Sequence, residues 1–185
     1  MELFSWLNSI LNPPEPIVLD DSYFGKLEYV SGKNIHGGKY EYWNCEKLTP
    51  ISAEPLHISI RASIEGPSEA DRIAAESLIL KYAELQKDIC RALFEEWREI
   101  LSELKDAVVD PRDPHDEFIK TARSFDAPET MARLYELTSI SIESAAEYVY
   151  ELFFNYRGEM GRSDSTYVIV LVDRNWKVSY GGGGD

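Results

Sequence analysis

Ionisable side chains crowd together most densely in the stretch DPRDPHDE, where Asp110, Asp113, Asp116 and Glu117 surround His115. Closely spaced carboxylates beside an imidazole are the donors a divalent cation takes, and such a metal would activate water for hydrolysis. The spacing departs from a calcium loop. It lacks the central glycine and the bidentate glutamate twelve positions after the first ligand. Two other uses fit the same residues: helix caps with solvated loop charges, or an anionic patch that touches a partner.

Other reactive side chains are scattered. His36 lies in a glycine-containing loop, and His57 lies on the outward face of a predicted strand with Arg61 two places along. Glu147, Glu151 and Arg157 share one face of a later predicted strand. Two carboxylates can divide acid and base roles only if their surroundings separate their pKa values. A solvated strand face is the simpler reading. Zinc-protease, paired-cysteine, phosphate-loop and nucleophile-elbow patterns do not occur. No catalytic, cofactor-binding or metal residue is therefore assigned, and no cofactor is expected. The balance leans away from an enzyme, with a metal-dependent hydrolase using residues 110–117 as the alternative.

Net charge narrows the partners. The chain of 185 residues carries a formal charge of −14, and residues 106–185 alone hold fifteen acidic and eight basic groups. Such an excess favours solubility, and it also speeds encounter with a basic protein. It opposes nucleic-acid binding, which needs a cationic surface, and adsorption to anionic membranes. Two cysteines, Cys45 and Cys90, have no paired spacing and imply no disulfide scaffold. The expected location is the cytoplasm, because no apolar run reaches membrane-spanning length and Glu2 replaces the basic start of a secretory signal.

The positioning element is Ser68 to Leu104, which contains no proline or glycine. Ser68 and Asp71 form a start signal behind Gly66-Pro67. Ala75, Leu78, Ile79, Tyr82, Leu85, Ile89, Leu93, Trp97, Ile100 and Leu104 recur at three- and four-residue steps, which predicts one long helix with an apolar stripe. Arg91, Glu95 and Arg98 have the spacing of weak surface ion pairs. Ile73, Leu80 and Phe94 lie off the stripe. They predict contact with another layer of this chain or, for Leu80 and Phe94, with a partner or a second copy.

Around this helix the pattern alternates. Residues 2–11 predict a short amphipathic helix ended by Asn12-Pro13-Pro14. Strands are predicted at 23–30, 40–48 and 56–64, with a loop over 31–39. Residues 56–64 alternate most clearly, so one face is core and one is wet. Short helices are expected after Asp113 and over 127–137. Strands follow at 138–142, where Ile140 and Ile142 alternate with serines, at 147–157, at 166–173 and at 176–180. A helix remains open for 147–157. The run 166–173 is apolar on both faces and predicts a central strand.

The order Tyr23-Phe24-Gly25-Lys26-Leu27, Tyr40 to Trp43, the isoleucine-rich strand, Gly66-Pro67-Ser68 into a long helix, and a closing TYVIVLVDRNWKVSY resembles uncharacterised bacterial families of small acidic α+β proteins, some linked to polymorphic-toxin immunity. The resemblance covers most of residues 22–180 and rests on turn glycines and strand patterns, so it carries no catalytic residue with it. Such relatives often place a histidine before the penultimate strand, where this chain has Ser163-Asp164-Ser165.

The expected fold is α+β: a mainly antiparallel sheet of six to seven strands with the long helix and shorter helices packed on one face. Residues 1–21 form a helix and extended linker, 22–180 a single domain and 181–185 a flexible glycine-rich tail. The expected function is non-catalytic binding of a basic protein, with an immunity-type inhibitor as the form the resemblance implies. Asp110, Asp113, Asp116, Glu117, Leu80 and Phe94 are the candidate contacts. A structural subunit of a homo-oligomer is a further alternative.

Overall fold

The computed structural model describes residues 15–33, 37–105, 114–143, 148–157 and 167–184. The expected helix over 2–11, His36, Asp110, Asp113, Glu147 and the loop at 158–165 lie outside them. Among the described residues the fold is α+β, with one eight-stranded, mostly antiparallel sheet and one long helix. The strands are β1 (Val18–Asp21), β2 (Gly25–Lys33), β3 (Lys39–Lys47), β4 (Leu56–Arg61), β5 (Tyr135–Ile142), β6 (Tyr148–Tyr156), β7 (Tyr167–Asp173) and β8 (Val178–Gly184). They lie side by side in chain order. Only β4 and β5 pair in parallel. Between these two runs the long helix α1 (Glu69–Lys105), which carries the chain back to the start of a parallel neighbour.

The start of α1 follows its sequence signal. The Ser68 amide and hydroxyl both donate to Asp71 Oδ2, at 2.8 and 2.7 Å, and the Asp71 amide donates back to Ser68 Oγ at 3.3 Å. At 37 residues the helix runs about 55 Å. Leu78, Leu85, Ile89, Leu93 and Trp97 of its stripe are buried, against Leu27, Trp43, Ile58, Ile60, Ile140, Leu152 and Val170 of the sheet. Each fully buried side chain of this size contributes about 1.5–3 kcal/mol. The far half of α1 is pinned by Trp97, whose Nε1–H donates to the Phe125 carbonyl at 2.7 Å. The surface pairing differs from expectation. Arg91 meets Asp88 at 2.9 Å, one turn back, instead of Glu95.

Several expected boundaries move. Among the described residues the sheet has eight strands, not six to seven, because Val18–Asp21 joins it as an additional strand and the last expected strand extends into the glycine run. Within the expected linker, β1 pairs with β2, and a tight turn between them is held by the Tyr23 and Phe24 amides donating to Asp21 Oδ1 at 2.8 and 2.9 Å. At the other end, the glycine run expected to be a flexible tail forms the second half of β8. Its backbone pairs with Tyr167 to Ile169, and Gly181 faces Leu171 so closely that a Cβ would lie 2.7 Å from Cγ. Strand β2 runs on through Ser31, Gly32 and Lys33, which were expected in a loop, because Gly32 leaves room for the Tyr40 ring opposite it.

The helix expected over 127–137 is reduced to a 3₁₀ turn (Pro128–Thr130) and one turn of helix, α3 (Met131–Leu134). Tyr135 and Leu137 belong instead to β5, where alternate burial against β6 outweighs helical spacing. With α2 (Pro114–Arg123) these are the short helices among the described residues. The strand reading of 147–157 holds as β6. Strand β7 is penultimate and not central, since β8 is its outer neighbour.

Candidate functional site

The sheet has two unlike faces. Leu56, Ile58 and Ile60 of β4 point to α1, and His57, Ser59 and Arg61 point away. Strand register carries this alternation across the sheet. On the face away from α1, one row runs Glu28, Asn44, Ser59, Ser141, Glu151, Leu171 and Ser179, from β2 to β8. The middle of that row is short: Asn44, Ser59 and Ser141, with Ser139 beside them. Tall rings stand at its sides, Tyr42 on β3, Phe153 on β6 and Tyr167 on β7. Short residues between tall ones leave a groove of about 470 Å³.

Two carboxylates serve this face differently. Glu143, just past β5, is buried to 6 % exposure. Its Oε1 accepts from the Tyr42 hydroxyl at 2.8 Å and its Oε2 from Arg61 Nη1 at 2.9 Å. Burial, together with the Glu143 charge, pushes the Tyr42 phenol up to about 12. Glu151 lines the groove itself. It makes no hydrogen bond or ion pair among the described residues. Burial first, and the Glu143 charge second, hold its pKa above the usual value. Beside it Ser141 is only 6 % exposed and also lines the groove. On the other side Ser59 Oγ donates to Asn44 Oδ1 at 2.7 Å and lies 3.3 Å from His57 Nε2, while His57 Nδ1 is 3.1 Å from Glu46. The outward placement expected for His57 is therefore observed, with a role in tying β3 to β4.

Leu80 and Phe94, among the expected contact residues, do not line this groove. Leu80 stands on α1 at 79 % exposure, one face with Ile73 at 55 %. Phe94 is half-buried and packs against the core of its own chain. Asp116 and Glu117 belong to α2 by backbone. Among the described residues no group of three histidine, cysteine, aspartate or glutamate side chains could hold a metal. Cys45 and Cys90 are buried and unpaired, and burial pushes Cys45 up to about 11, which makes it a poor nucleophile. No helix among the described residues is long and apolar enough to cross a membrane.

Sequence reasoning missed the groove, though its signal was present. The serines alternating with isoleucines in β4 and β5 mark a short-walled floor, and Glu151 sits on the same register row. What hid it is that β4 and β5 are neighbours across a separation of some eighty residues. No family model, curated protein or solved structure matches this chain.

Proposed function

We propose that the protein is a non-catalytic acidic binding module that takes a basic protein partner, with an immunity-type inhibitor as the form its sequence resemblance suggests. The observation that carries this reading is Glu151: a half-buried carboxylate that lines an open groove, without a cation beside it among the described residues. A charge taken out of water without a partner costs stability in the free protein. A cation that arrives with a partner removes that cost, so binding gains what folding gave up. The −14 charge of the chain adds long-range attraction. Capture from the native cell lysate at low and at high salt, followed by mass spectrometry, tests the reading. One basic protein retained at low salt and weakened by salt supports it, and an empty bait at both salts contradicts it.

A second reading, a subunit of a homo-oligomer, has one observation in its favour. Ile73 and Leu80 are seven residues apart on α1 and both are largely exposed. Light scattering of the wild type and of Leu80→Asp decides it: a dimer that the substitution dissociates supports an oligomer, and a monomer in both cases excludes one through this face.

A further inference from the structure

We propose that the groove on the open sheet face is a pocket for an arginine side chain of the partner, with Glu151 as its counter-charge. This rests on the basic-partner reading above and adds the place and the chemistry. Three features of the groove match a guanidinium. First, Glu151 has no cation beside it among the described residues, and Arg61 is held by Glu143 at 2.9 Å. Second, Ser141 lines the groove in register with Glu151, and its hydroxyl oxygen can accept from a guanidinium N–H. Third, the walls are aromatic. Phe153 and Tyr167 have centroids 5.8 Å apart, inclined at 53°, and Tyr42 stands opposite. A guanidinium spreads its donors in one plane and stacks on rings, and it is shed from water more readily than an ammonium. A lysine could meet Glu151 but would leave the ring and the hydroxyl poorly used.

The opening fits a side chain and not a buried small ligand, because the groove lies along the sheet surface. Its floor of short residues also lets a neighbouring backbone lie close.

The test is calorimetric titration of the full chain with a hexa-arginine peptide and with a hexa-lysine peptide. Four proteins are compared: wild type, Glu151→Gln, Phe153→Ala and, as a charge-matched control on α1, Glu84→Gln. The expected result is tighter binding of hexa-arginine than hexa-lysine, at least fivefold weaker binding by Glu151→Gln and Phe153→Ala, and less than a twofold change for Glu84→Gln. If wild type binds and all three variants match it, the groove is overturned while the basic-partner reading stands. If wild type binds both peptides equally, the arginine assignment is overturned. If wild type binds neither, both readings fall. Circular dichroism of each variant shows that it is folded, and Glu151→Gln keeps the shape of the side chain in case Phe153→Ala does not fold.

Discussion

Arg61 donates through Nη1 to Glu143 Oε2 at 2.9 Å, joining β4 to the end of β5 on the sheet face opposite α1. Glu143 is nearly buried and Arg61 is half exposed. The pair is therefore asymmetric: losing the arginine strands a buried charge, whereas the arginine itself was never far from water. Arg61→Met is expected to destabilise the fold by about 1–3 kcal/mol, less than for a pair buried on both sides. In a chain of this size that is a fall in Tm of roughly 2–4 °C per kcal/mol. Thermal melts of the two proteins in the same buffer check it.

Glu151 should behave in the opposite sense. Its folded-state pKa is raised, so its contribution to stability is greatest below its unfolded value and declines as pH rises through the folded one. At neutral pH the ionised group is a burden. Glu151→Gln is expected to raise Tm slightly at pH 7, and the gain is expected to vanish below about pH 4.5, the ordinary value for this side chain. A series of melts from pH 4 to pH 8 shows whether the difference follows this course.

Asp21 gives the reverse case. Burial works against its charge, yet the amides of Phe24 and Tyr23 and the Arg72 guanidinium at 2.8 Å together hold its carboxyl below the usual range. That stabilisation is complete above the ordinary value of 3.8 and is lost as pH falls through the lower folded value. Asp21→Ala leaves two turn amides without their acceptor, at a cost of about 1–3 kcal/mol. Urea unfolding is expected to show this deficit at pH 7, and to show it shrinking as the medium is made strongly acid.

The end of the chain offers a test of packing. Gly181→Val places a branched side chain where a Cβ alone would lie 2.7 Å from Leu171 Cγ. Leu171 must move or β8 must lift from β7, and the expected cost is about 1–3 kcal/mol. A tail free in solution would tolerate the substitution without change. Comparison of the two denaturation midpoints separates the cases.

How legible these features were depended on the range of the signal. The stripe from Ala75 to Trp97 and the alternation from Leu56 to Ile60 are local, each fixed by the period of one element, and both appear as read. The ends of the sheet were less legible. Asp20, Asp21 and the glycines 181–184 have weak strand preference, and what holds them extended is a neighbouring strand. The same holds for Tyr135 and Leu137, whose helical spacing gives way to pairing with β6. Of the groove, Ser139, Ser141 and Glu151 were visible as outward residues of their strands. Their meeting with Ser59 and Tyr42 depends on the parallel β4–β5 junction, which no local pattern announces. The burial of Glu143 was hidden for the same reason, because Arg61 and Tyr42 reach it from the other half of the sheet.

The most direct measurement is a map of amide chemical shifts on an isotope-labelled full chain as hexa-arginine is added. The expected result is a set of changes confined to the open sheet face, strongest at Ser141, Glu151 and Phe153 and weakened by salt. Changes spread along the acidic surface of α1, with Ser141 and Glu151 unmoved, would contradict the groove as the place where a basic partner is held.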